Sequence, residues 1–144
     1  MSPALSSRMP VIEQMNVGET TYVCVQADKL WNDSGVHVMP GQTYNFVVSE
    51  NEKWIDWHIP CGAAEYPSTP LIRPGEELRR VPKANWLQLI GTIGKSAKPP
   101  IVIGSKLVDF SPPFPGRLYF FANDLAWMYR NNKGNIAVRV TRTK

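Results

Sequence analysis

The stretch RLYFFANDLAWMYRNNKGNIAVRVTR (residues 117–142) sets two strand-like runs on either side of an oxygen-rich loop. In its second half Ile136, Val138 and Val140 alternate with Ala137, Arg139 and Thr141. Period two with one apolar face predicts an antiparallel strand that buries one side and wets the other. RLYFFAND (117–124) reads as a second strand. Between them Asp124, Asn131 and Asn132 surround Trp127, Met128 and Tyr129. A tight hairpin needs only two turn-forming residues, so this loop holds more oxygen donors than a chain reversal requires.

Working outward, the same period recurs. TYVCVQA (21–27) alternates Tyr22, Cys24 and Gln26 with Val23, Val25 and Ala27. GVHVM (35–39), a Pro-Gly turn and TYNFVVS (43–49) predict two strands and their connection. KWIDWHI (53–59) reads as one strand, with Trp54, Asp56 and His58 on one side and Ile55, Trp57 and Ile59 on the other. NWLQLIGTI (85–93), PIVIG (100–104) and KLVDF (106–110) continue the series. From 60 to 85 the chain changes character. Five of its 13 prolines fall there, and proline removes ladder donors, so a long surface loop or short edge pieces are expected.

Some eight short strands with Pro/Gly turns and no long amphipathic helix predict an all-β, antiparallel, jelly-roll-like β-sandwich. At 144 residues, with neither repeat nor linker, one domain over 1–144 is the simplest reading, with 1–16 as a loose N-terminal arm.

Charge and cysteines exclude more than they select. The net +4 is spread thinly, without a basic block, so no nucleic-acid partner is expected. No apolar run approaches a membrane span, and MSPALSSRMPVIEQM has no apolar signal core. Membrane insertion is therefore not expected, and localisation stays unknown, with a cytoplasmic place or release by a non-classical route both left open by the lack of a recognisable secretory signal. Homo-oligomerisation is left open. Cys24 and Cys61 read as free, buried thiols.

Two readings of the 124–132 loop stand side by side. Asp124 supplies a carboxylate, Asn131 and Asn132 supply amide oxygens, and loop carbonyls lie between them. Hard oxygen donors without thiolate or imidazole suit calcium, which takes six to eight oxygens and tolerates backbone donors. The plain alternative is an Asn-rich hairpin whose residues only supply left-handed turn conformations.

NWLQLIGTIG, IVIG, GRLYFFAND and YRNNKGNIAV, in this order, resemble the LecA-type bacterial galactophilic lectins and their wider family. WNDSGVHVMPGQTYNFVVSENEKWID resembles its upstream half, so the likeness runs from about residue 21 to 142. The spacing from Asn-Asp to Asn-Asn-x-Gly is its specific part. The resemblance implies a galactose-binding-like β-sandwich with one Ca2+ that itself touches sugar hydroxyls. Carried over, the calcium ligands are the Asp124 carboxylate, the Met128 carbonyl, the Asn131 and Asn132 amides and the Trp57 carbonyl, with Asp124 the only carboxylate of the cage. Asp124 and Asn131 also contact the sugar. The family's second sugar-contacting segment matches IPCGAAEYPST, with Tyr66 in place of its His, Pro67 for its Pro and Thr69 in place of its Gln. The implied function is a calcium-dependent lectin for a galactose-like or related vicinal-diol sugar on a carbohydrate partner. The other reading from a different class is a non-catalytic interaction or accessory module that kept the fold and lost sugar binding.

An enzyme is not expected. His37 and His58 sit in no catalytic motif, IGSK is not a nucleophile elbow, and Glu76 and Glu77 are adjacent and point apart. A zinc site from Asp56, His58 and Cys61 lacks a standard spacing.

Overall fold

The computed structural model describes residues 14–56, 59–65, 78–96 and 98–144. Eleven strand segments follow in chain order: β1 (Thr20–Gln26), β2 (Asn32–Val38), β3 (Tyr44–Val48), β4 (Trp54–Asp56), β5 (Ile59–Cys61), β6 (Leu89–Ile93), β7 (Ile101–Val102), β8 (Lys106–Phe110), β9 (Gly116–Ala122), β10 (Asn132–Lys133) and β11 (Asn135–Arg142). One sheet has the order β1-β11-β3-β8, a second β2-β9-β6-β7, and a small third β10-β4-β5. All paired strands run antiparallel.

The two four-stranded sheets face each other across one core. Val23 and Val25 of β1, Phe46 and Val48 of β3, and Ile136, Val138 and Val140 of β11 meet Val36 and Val38 of β2, Leu89 of β6, and Leu118 and Phe120 of β9. This is the β-sandwich the alternating sequence predicts, built from two inner faces. The predicted span 135–142 coincides with β11.

β6 (LIGTI) and β9 (GRLYFFA) read as nearly continuous apolar runs because their sheet is covered on both sides. Their outward residues Ile90 and Phe121 pack with Val81, Ala84 and Trp31 in a second cluster. The segment 78–86, part of the proline-rich stretch, therefore lies as a cover on the outer face of that sheet.

Three expectations are corrected. KWIDWHI is not one strand: Trp54 pairs with Cys61 and Asp56 with Ile59, so the chain doubles back into the β4–β5 pair. The apolar-looking side of this pair faces out, with Ile55 and Ile59 exposed while Trp54 is fully buried. Alternation shows that a strand has two faces, but here the single large indole takes the core position. Cys24 is also exposed; Cys61 is buried, and both thiols are free. The length of PIVIG in strand is only Ile101–Val102.

Among the described residues no helix is long and apolar enough to cross a membrane. Residues 1–13, which take in most of the expected N-terminal arm, lie outside the described part.

Candidate oxygen-donor site at the end of β9

Chain and packing together aim Asp124. Immediately before it, Asn123 is fully buried and anchors the covering segment. Its Oδ1 accepts the Val81 N–H at 2.9 Å, and its Nδ2 donates to the carbonyls of Val81, Ala84 and Asn85 at 2.8, 3.2 and 2.9 Å. The Arg80 N–H then donates to the Asp124 carbonyl at 3.1 Å, and Arg79 bridges Leu125. Segment 79–81 thus clamps the first residues of the loop.

Arg80 itself is held in an aromatic cage. Its guanidinium lies 3.5 Å over the Phe121 ring, 4.5 Å over Trp31 and 5.4 Å over Tyr129. It donates to the Leu30 carbonyl at 2.7 Å and to the Tyr129 hydroxyl at 2.9 Å. Tyr129 in turn donates to the Ala122 carbonyl, and burial pushes its phenol well above the usual range. The middle of the loop is therefore pinned back onto the end of β9. That curls the chain so that residues eight apart in sequence converge.

Asp124 and Asn132 are those residues. They are 4% and 2% exposed, among the few buried polar side chains of the described part. Asp124 Oδ1 accepts the Leu125 N–H at 2.7 Å. Asn132 Nδ2 donates to the Ala27 carbonyl at 3.0 Å. Asp124 Oδ2 and Asn132 Oδ1 are buried and, among the described residues, accept no hydrogen bond. Burial raises the Asp124 carboxyl to about 6; the Leu125 N–H opposes this, the Asp56 carboxylate adds to it, and the Asn132 amide opposes it. Asp56 sits across the β10–β4 ladder from Asn132.

The other carried-over ligands divide into two groups. Met128 and Asn131 lie together in the short 3-10 turn region, where the Asn131 N–H donates to the Met128 carbonyl at 3.0 Å. That carbonyl keeps its second lone pair. Asn131 is half-buried, and its Nδ2 approaches Met128 Sδ at 3.9 Å. Trp57, Tyr66, Pro67 and Thr69 lie outside the described residues. So does His58 of the zinc alternative, whose Cys61 thiol is pushed up to about 11, chiefly by burial.

Sequence reasoning counted Asp124 as the only carboxylate here and missed Asp56 at this site. Only the β10–β4 register places Asp56 opposite Asn132, and nothing in the sequence announces a two-residue strand. Asn123 was equally illegible. In sequence it is one more loop asparagine, yet its amide is spent on backbone.

The donor set is one that a hard cation fits. An orphaned buried acceptor costs about 1–3 kcal/mol, and more for an ionised one. Two such oxygens, with a second carboxylate repelling the first, form an arrangement that a divalent cation would relieve. Among the described residues there is no group of three or more His, Cys, Asp or Glu that could hold a metal. The donors are instead carboxylate, amide and carbonyl oxygens, the chemistry of calcium rather than zinc.

Comparison with solved structures decides the type of fold. The chain superposes on the EclA N-terminal domain, a PllA-like lectin, with a TM-score of 0.60 over 85% of this chain and 94% of that one. The fold is lectin-like. Sequence identity between the two is 18%, so the likeness lies in architecture rather than in matched side chains. No family profile matches the chain, and no curated protein sequence does.

Proposed function

We propose that this lectin-like chain is a non-catalytic, calcium-dependent carbohydrate-binding protein for galactose-like or other vicinal-diol sugars. The observation that carries the reading is the pair of orphaned buried oxygens, Asp124 Oδ2 and Asn132 Oδ1. A folded protein rarely buries an ionisable acceptor without a partner. In this reading a bound Ca2+ is the missing partner.

Asp124, Asn132, Asn131 and the carbonyls of Met128 and Trp57 would hold the ion. Bound there, calcium supplies coordination positions for two neighbouring sugar hydroxyls. The chain's own groups do the rest. Asp124 accepts from a hydroxyl, the Asn131 amide both donates and accepts, and the fold keeps both in place before sugar arrives. Trp127, 62% exposed on the same loop, offers a flat apolar face to the C–H side of a sugar ring. Tyr66, Pro67 and Thr69 would supply the second rim and set which sugar is preferred.

Calorimetry with calcium, followed by a glycan array run with calcium and with chelator, tests this. Calcium uptake together with chelator-sensitive glycan signals is expected. No uptake at millimolar calcium would sink the proposal and leave the loop a hairpin. Uptake without any glycan signal would leave a calcium-stabilised interaction module.

A further inference from the structure

On the outer face of the β1-β11-β3-β8 sheet, away from the Asp124 cluster, lies a groove of about 260 Å³ lined by Tyr22, Val47, Ser49, Glu52, Ala137 and Arg139. Strand register explains it. Tyr22 pairs with Arg139, and Arg139 with Val47, making one row across three strands. Cys24 pairs with Ala137 in the next row. Ala137 is small, so the surface dips between the taller Tyr22–Arg139 row and Glu52.

The lining groups are kept available. Tyr22 is 68% exposed although large and aromatic, and its ring is spent on no contact within the core. Arg139 is exposed, and among the described residues no hydrogen bond, ion pair or ring contact engages its guanidinium. Glu52 uses Oε1 to accept the Ala137 N–H at 3.3 Å, which fixes the carboxylate at the groove wall. Ser49 Oγ accepts the Asn51 N–H at 3.3 Å and retains its hydroxyl proton for donation.

We infer that this groove is a second binding site, independent of calcium, for a neutral saccharide ring. The charges select the class. Arg139 and Glu52 cancel, so an anion would meet the Glu52 carboxylate and a cation the Arg139 guanidinium. A neutral ligand that both donates and accepts is favoured by each. A pyranose has one apolar C–H face for the Tyr22 ring and a rim of hydroxyls for Arg139, Glu52 and Ser49. The volume lies just below the usual range for small-molecule sites of roughly 300–1,000 Å³, which suits a short saccharide rather than an extended chain. The groove shares no residue with the calcium site, so either can fail without the other.

The test follows backbone amide NMR shifts of the full chain in chelator during titration with methyl β-galactoside, methyl α-glucoside and methyl α-mannoside, with sodium acetate as a further arm. At least one glycoside is expected to shift Tyr22, Ser49, Ala137 and Arg139 together, equally in the wild type and in Asp124→Asn. Tyr22→Ala should abolish the response, and Arg139→Gln should weaken it about tenfold, as for a lost charged hydrogen bond. A bulky maleimide on the exposed Cys24 of the unmutated groove should block it too, which guards against a folding defect in Tyr22→Ala. Absence of localised shifts with all three glycosides overturns the inference, and so does a groove response to acetate alone. Calcium-dependent glycan binding that persists in either case would show that the site at Asp124 stands by itself.

Discussion

Asp124 and Asn132, eight residues apart in sequence, each bury one side-chain oxygen that has no hydrogen-bond partner among the described residues. The Asn132 amide is close enough to favour the ionised Asp124, while Asp56 disfavours it. The site is thus strained in its electrostatics and not in its backbone, and that imbalance is open to measurement.

Calcium should raise the melting temperature of the wild type, because it binds the native state in preference to the unfolded chain. In Asp124→Asn, which keeps the shape and removes the charge, the calcium-induced rise should vanish. Asn132→Ala should reduce it. Differential scanning fluorimetry with calcium and with chelator reads both, and an undiminished rise in Asp124→Asn would remove Asp124 from the ligand set.

The pH dependence has a definite sign. Asp124 titrates at about 6 when folded, against roughly 3.9 in an unfolded chain. The folded state therefore binds more protons between these values, and the calcium-free protein should lose stability as pH rises from about 4 through 6. The Asp124 share of that loss is up to about 3 kcal/mol. Asp124→Asn should flatten this part of the profile and be more stable than the calcium-free wild type at pH 7. Urea midpoints across the range check it; parallel profiles for the two proteins would contradict it. Protons compete with calcium for the same carboxylate, so calcium affinity should fall as pH drops below about 6.

Asn123→Ala should cost about 3 kcal/mol, since it leaves the buried Val81 N–H and the Ala84 carbonyl without their partner and takes one of two donors from the Val81 and Asn85 carbonyls. Calcium affinity should fall with it, because the clamp from Arg80 to Asp124 loosens. A denaturation midpoint within about 1 kcal/mol of wild type would mean that water replaces the amide.

Trp127→Ala should leave folding and calcium uptake unchanged, because the ring is mostly exposed. Glycan affinity should fall by roughly tenfold, about the worth of one aromatic contact. Equal glycan titrations of the two proteins would take Trp127 out of the sugar contact.

Tyr66→His combined with Thr69→Gln should shift selectivity towards galactose without altering calcium affinity. A Tyr hydroxyl can donate one bond from a longer side chain than His, and a Thr side chain is shorter than that of Gln. One directed bond to a neutral hydroxyl is worth about 1 kcal/mol, several-fold in affinity. Competition between galactose and mannose on both proteins measures the shift, and an unchanged ratio would place sugar choice elsewhere.

The sequence by itself determined the class of fold and most of its strands. Alternation in TYVCVQA and NIAVRVTR assigns Val23, Val25, Ile136, Val138 and Val140 to the core, where they lie, because side-chain direction along a strand is a local property. It also marked the 124–132 loop through its unusual density of oxygen donors. What it could not determine was every relation that depends on register or on packing between distant segments. The hairpin of β4 and β5, the outward turn of Ile55 and Ile59, the approach of Asp56 to Asp124 and the use of Asn123 as an anchor are of this kind. So is the groove at Tyr22 and Arg139, which are 117 residues apart in sequence and neighbours across one ladder. Local residue patterns say which face a side chain takes. Which oxygens are left buried and without partners is decided only when the segments are packed together.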